Sequence, residues 1–145
     1  MVLFTDSTEA LLFTTYSDSQ YAYRQARSTT DLAREVIHCA LRAREAGGHI
    51  AIICCDLSRA FDTADHALVA DKLDHYRVRG PALKRLLSFM SGRAQVVVGD
   101  RGSVISSKRI NLMGVPQESC LSNTLFSILL NDLPAATTGA DIWYW

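Results

Sequence analysis

Ile52-Ile53-Cys54-Cys55-Asp56-Leu57-Ser58-Arg59-Ala60-Phe61-Asp62 runs from an apolar block straight into a carboxylate, with an aromatic five residues further on. With His49, Ile50 and Ala51 ahead of it, the block reads as a strand. Its unbroken apolar character predicts a strand covered on both faces. Asp56 then stands where the strand ends and solvent begins. A rigid element fixes a ligating carboxylate better than a loop does, so Asp56 is a candidate ligand for a divalent metal ion. The other reading is an Asp that opens a turn and caps the helix that follows. The run alone leaves both open.

Moving outward, Thr29 to Ala46 has helical periodicity, with Leu32, Ala33, Val36, Ile37, Ala40 and Leu41 on one face and Arg34, Glu35, Arg42 and Arg44 elsewhere. Ser28 is the predicted N-cap, Asp31 lies near the positive helix end, and Gly47-Gly48 stops the helix. Further helices are predicted from about Asp65 to Tyr76, from Pro81 to about Met90, and from Leu121 to Leu130, with Pro134 beyond the last. Gln95 to Val98 and Val104 to Ile110 are strand-like and joined by the turn residues Gly99-Asp100-Arg101-Gly102, which predicts a hairpin. Glu9 to Thr15 predicts a short helix. The chain carries no internal repeat, low-complexity tract or linker.

The 145 residues suit a single domain spanning 1–145, with an apolar fraction of 48% and a formal net charge of zero. The charge is unevenly spread. Arg77 to Arg109 holds eight basic residues against one acid, Asp100, whereas the segments on either side are net acidic. A basic centre between acidic flanks suits a track of phosphates, or else the wet face of a helix and a hairpin. Cys39, Cys54, Cys55 and Cys120 show neither Cys-x-x-Cys nor zinc-ligand spacing. The adjacent Cys54 and Cys55 point to opposite faces of a strand and read as small buried hydrophobes in a reducing compartment. The first residues carry Asp6 and Glu9 and no basic cluster, unlike a signal peptide, and no apolar run is long enough for a bilayer. The expectation is an intracellular chain, in nucleus or cytoplasm, neither secreted nor in a membrane.

A second motif joins the first: Gly114-Val115-Pro116-Gln117, then Ser119, the Leu121–Leu130 stretch and Asn131-Asp132-Leu133-Pro134. Together the two resemble motifs A and B in the palm of reverse transcriptases of the non-LTR retrotransposon type. Asp65-His66, Lys72-Leu73, Tyr76 and Arg93-Ala94-Gln95-Val96-Val97-Val98 between them are similar to the same family. So are Gln20-Tyr21-Ala22-Tyr23-Arg24 and Ser28-Thr29 upstream. The resemblance runs from about Asp18 to about Asp141. It implies an α+β fold, a partial polymerase palm with an antiparallel sheet packed by helices. It also implies RNA-directed DNA polymerase activity by two-metal nucleotidyl transfer with Mg²⁺ or Mn²⁺. The implied partners are an RNA template, a DNA primer, dNTP and the remainder of a retrotransposon polyprotein.

On this resemblance Asp56 is the catalytic carboxylate and metal ligand, with the Leu57 backbone carbonyl beside it. Phe61 takes the position that excludes a 2′-hydroxyl, and the Ala60 and Phe61 amides face the triphosphate. Gln117 lies near the incoming nucleotide, set there by Gly114 and Pro116. Arg24 contacts phosphate or template, or forms a surface ion pair, and Asp62 has a supporting role. Asp62, Asp65, His66, Asp71, Asp74 and His75 form a second acidic and histidine-rich cluster. It reads as the wet side of a helix, with a further metal site as the alternative.

Three departures from the family pattern stand out. Glu118 occupies the place of a glycine, adding bulk and negative charge beside the motif B loop. Ala22 replaces another glycine. Ala140-Asp141-Ile142 resembles the strand that leads into Tyr-x-Asp-Asp, yet no Asp-Asp pair occurs in the sequence. The expectation is therefore a palm with incomplete fingers, no motif C hairpin and no thumb, inactive by itself. The alternative is a non-catalytic palm remnant that binds nucleic acid or a partner.

Overall fold

The computed structural model describes residues 16–100, 102–103 and 105–145. The helix expected over Glu9 to Thr15 lies outside them. The described elements are α1 (Thr29–Glu45), a 3₁₀ turn (Ala60–Thr63), α2 (His66–His75), α3 (Gly80–Met90), β1 (Ala94–Gln95), β2 (Arg109–Ile110), α4 (Cys120–Leu130) and a second 3₁₀ turn (Leu133–Ala136). Helices plus a small antiparallel ladder make the class α+β, as expected.

The helix boundaries follow from local chemistry. Ser28 Oγ accepts from the Asp31 amide at the head of α1, and Asp65 Oδ1 accepts from the Ala67 and Leu68 amides at the head of α2. Each satisfies amides that the first turn leaves without a partner. Ser119 does the same for α4, and Pro81 sits in the first turn of α3, where its missing N–H costs nothing.

The core lies among α2, α3 and α4. Val69 and Leu73 of α2, Leu86 and Met90 of α3, and Leu125 and Ile128 of α4 are buried together with Tyr16, Ala64, Val78 and Val115. Polar clips close its edges. Lys72 Nζ donates to the Leu129 carbonyl near the end of α4 and pairs with Asp132, which holds the Asp132 carboxyl below the usual carboxylate range. Asn131 accepts from the Ser17 amide at 2.6 Å and donates to the Tyr76 hydroxyl at 2.7 Å. That ties the 16–21 segment to the far end of α4. Gln20 and Tyr144 then form a parallel bridge, with the Tyr21 amide donating to the Tyr144 carbonyl at 2.9 Å.

Burial, with Tyr76 and Asp132 nearby, pushes the Tyr144 hydroxyl up to about 12. A raised acid in the folded state contributes stability that is fully present below the unfolded value, about 10, and is lost as pH rises towards 12. Urea midpoints measured at pH 8 and pH 11 should therefore fall in the parent chain and fall less in Tyr144→Phe. Tyr16, also raised by burial, keeps part of the loss in the variant. Equal losses in the two proteins would contradict the assignment to Tyr144.

Three expectations need correction. Residues 49–55 form no strand, and they are exposed, with Ile52 at 57% and Ile53 at 83%. An apolar run specifies a covered strand only when neighbours exist on its edges and faces, and among the described residues no strand pairs with it. Cys54 and Cys55 are accordingly exposed rather than buried. The apolar face of α1 is likewise mostly open: Leu32 is buried, yet Ile37 and Leu41 are exposed, and no α1 residue belongs to the central core. Finally, the hairpin is less regular than its sequence suggests over the described residues. Among the described residues the ladder pairs are Ala94↔Ile110 and Gln95↔Arg109, with Val98 in a separate bridge. Beyond them Val97 spends its amide on Ser106 Oγ, although the Ile105 amide still reaches the Val97 carbonyl at 2.9 Å. A side-chain acceptor that takes a strand amide interrupts regular pairing.

Candidate functional site

Two adjoining clefts share a wall made of Tyr23, Ala60 and Phe61. The first, about 230 Å³, is lined by Cys55, Asp56 and Leu57 together with Phe126, Tyr144 and Trp145. The second, about 360 Å³, adds Arg59, Gln117, Glu118 and Asn123. Of the expected residues, Asp56 and Leu57 line the first cleft, Gln117 lines the second, and Ala60 and Phe61 line both. Arg24 does not line either cleft. Its guanidinium donates to the Ser17 carbonyl at 2.7 Å and lies 3.5 Å from Asp18, so it braces the 17–24 turn.

What joins the two sequence motifs is a run of hydrogen bonds between residues 61–66 and 114–117. The Val115 amide donates to the Phe61 carbonyl at 2.8 Å, and the Gly114 amide donates to the Ala64 carbonyl at 2.7 Å. His66 Nε2 donates to the Gly114 carbonyl at 2.7 Å, and Gln117 Nε2 donates to Asp62 Oδ1 at 3.2 Å. On the other side of the loop, buried Ser122 donates its hydroxyl to the Pro116 carbonyl. Gly114 makes the close approach feasible. Its φ is +90°, and a Cβ there would lie 2.9 Å from the Asp62 carbonyl oxygen and 3.0 Å from both the Asp62 Cα and the Phe61 oxygen. Phe61 itself stacks on Phe126 of α4, ring centroids 4.8 Å apart, which fixes the flat wall between the clefts.

Backbone strain is concentrated here. Of the five described non-glycine residues with positive φ, Tyr23, Arg59 and Glu118 all line the second cleft. Such conformations persist only where the surroundings over-determine them, and they gather at working sites. Glu118, at φ 56°, occupies a backbone position suited to glycine. Glu118→Gly should therefore raise stability by about 0.5–1 kcal/mol, the relief of left-handed strain less the extra freedom of the unfolded chain. A urea midpoint shifted upward supports this; an unchanged or lower midpoint contradicts it.

The donor set does not fit a complete two-ion centre. Among the described residues no three His, Cys, Asp or Glu side chains are grouped to hold a metal, and Asp56 stands as a single exposed carboxylate. The second cluster disperses into structural tasks. Asp62 holds Gln117, Asp65 caps α2, His66 holds Gly114, and Asp74 pairs with Arg79 at 2.6 Å. Sequence reasoning missed Phe126, Asn123 and the Tyr144-Trp145 wall. Phe126 had a signal, because it lies on a helix already expected, but the Gln20–Tyr144 bridge had none.

Of the basic stretch, Arg79 is paired and Arg93 donates to the Phe89 carbonyl and lies over the Phe89 ring. Arg77, Lys84, Arg85, Lys108 and Arg109 are exposed. No described helix is long and apolar enough to cross a membrane.

Comparison with known proteins adds a family-level result. The chain is 32% identical over 116 residues to an RNA-directed DNA polymerase from mobile element jockey of Drosophila funebris. The match covers 79% of this chain and 12% of that relative. The likeness supports a reverse-transcriptase-like relationship, to the polymerases of transposable elements. No protein-family model matches the chain, and no solved structure matches it.

Proposed function

We propose that the chain is part of the palm of a non-LTR retrotransposon reverse transcriptase, a single unit over 1–145. The observation that carries this reading is the meeting of Asp56, Phe61 and Gln117 on adjoining clefts, although Asp62 and Gln117 lie 55 residues apart in sequence. In this reading Asp56, with the Leu57 carbonyl, supplies one carboxylate ligand towards Mg²⁺ or Mn²⁺. Phe61 forms the floor under a nucleotide sugar, and the Ala60 and Phe61 amides and Gln117 face the nucleotide. RNA template, DNA primer and dNTP are the proposed partners, with the rest of a polyprotein beside it. Arg24, engaged with Ser17 and Asp18, is proposed to shape the turn that carries Tyr23 rather than to touch template.

One carboxylate does not organise two divalent ions, so the chain by itself is proposed to be inactive. Losing even ~4 kcal/mol of transition-state stabilisation lowers a rate about a thousandfold. Primer extension on an RNA template with Mg²⁺ or Mn²⁺ should give no product above background. Processive synthesis by the purified chain would sink the proposal of inactivity.

A second reading, a non-catalytic nucleic-acid-binding remnant, is favoured by the exposed Arg77, Lys84, Arg85, Lys108 and Arg109. The same preparation distinguishes it. RNA association whose salt slope falls by about two in the Arg85→Ala, Arg109→Ala double variant supports phosphate contact there. Binding that ignores both salt and substitution rejects it.

A further inference from the structure

We propose that Asp62 is a positioning residue that sets which end of the Gln117 amide faces the second cleft, so that the cleft offers a hydrogen-bond acceptor. The inference rests on the nucleotide reading of that cleft given above. An ionised carboxylate only accepts, so the Gln117 group 3.2 Å from Asp62 Oδ1 must be the NH₂ end. Gln117 Oε1 is thereby left as the acceptor that can meet a ligand, while the NH₂ group, turned towards Asp62, keeps one further hydrogen. Without Asp62 the amide is free to turn over and present donors instead, because the two ends have nearly the same shape.

The rest of the loop is already fixed. Gly114, Val115 and Pro116 are each held through backbone groups, by Ala64 and His66, by Phe61, and by Ser122. The side-chain bond to Asp62 is thus the contact that governs the last free torsions of Gln117. The neighbouring Glu118 carboxylate adds a further acceptor to the same wall. A ligand suited to this wall carries an N–H or O–H donor close to a flat apolar face that rests on Phe61. In deoxyadenosine triphosphate two groups have that chemistry, the 3′-hydroxyl and the 6-amino group.

Calorimetric binding of three probes to the chain separates them: deoxyadenosine triphosphate, its 2′,3′-dideoxy form, and the deoxypurine triphosphate that lacks the 6-amino group. The parent chain should bind one of the two depleted analogues about tenfold more weakly than deoxyadenosine triphosphate. The hydroxyl is the recognised donor if that analogue is the dideoxy form, and the base amine if it is the other. In Asp62→Ala the discrimination should shrink to about twofold or less. In Asp62→Asn, which keeps a carbonyl acceptor, part of it should return. A change in fold stability alone weakens all three probes together and leaves their ratios unchanged, so the ratios report orientation.

Equal binding of all three probes by the parent chain, or unchanged ratios in Asp62→Ala, overturns the inference while leaving the nucleotide reading intact. Failure of the parent chain to bind any probe overturns the nucleotide reading and the ligand assignment with it. The amide orientation is then decided by NMR. One Gln117 side-chain proton should lie downfield in the parent chain and return to its random-coil position in Asp62→Ala, and absence of that shift overturns the positioning as well.

Discussion

Gly114→Ala is expected to destabilise the chain by about 3 kcal/mol, combining left-handed strain at φ +90° with backbone overlap. The overlap is with main-chain atoms of Phe61 and Asp62, which cannot rotate aside as a flexible side chain would. Relief requires the 114–117 loop to move away from 61–66. That breaks the Val115–Phe61, Gly114–Ala64 and His66–Gly114 bonds together. The variant should therefore lose more than a generic loop substitution, which is usually worth under 0.5 kcal/mol either way. Urea denaturation followed by circular dichroism measures the loss, and amide exchange at Val115 should accelerate alongside it. A Gly114→Ala chain as stable as its parent, with Val115 still protected, would mean that the two motifs are not joined as described.

Leu73→Ala should cost about 3 kcal/mol for a different reason. Leu73 is fully buried in α2, whose inner face packs against both α3 and α4. Truncation removes the transfer energy of the lost methyl groups and leaves a cavity that three helices cannot easily fill. Ile37→Ala on α1 is the control: the same class of truncation at a residue 59% exposed should change the urea midpoint little. Similar losses at the two positions would show that α1 is covered in solution and that the core extends beyond the three helices. A loss under about 1 kcal/mol at Leu73 would show that the helices are not closely packed.

Much of the helical framework was legible because its signals are local. Ser28, Asp65 and Ser119 cap the helices they precede, and Pro81 opens the one it starts. Asp56, Phe61 and Gln117 could be singled out from the motif resemblance, and the structure places Asp56 in one cleft, Gln117 in the next and Phe61 in both. The 49–55 run was misread because strand character is a statement about neighbours, and periodicity does not supply them. Glu118 was visible as a departure, but only the backbone shows that it stands in a left-handed conformation. The Gln117–Asp62 bond and the Tyr144 wall were out of reach, because each joins residues whose spacing carries no pattern.

The bonding of 61–66 to 114–117 also has a kinetic consequence. His66 and Gly114 enclose 48 residues of separation, so their contact carries a loop-closure cost that the adjacent pair α2 and α3 does not. Local helix pairing precedes closure of such a span. Packing of α4 on α2 closes the same span, so the wall that carries Gln117 and the three-helix core are expected to form together. Substitutions that weaken this seam are therefore expected to slow folding as well as to hasten unfolding.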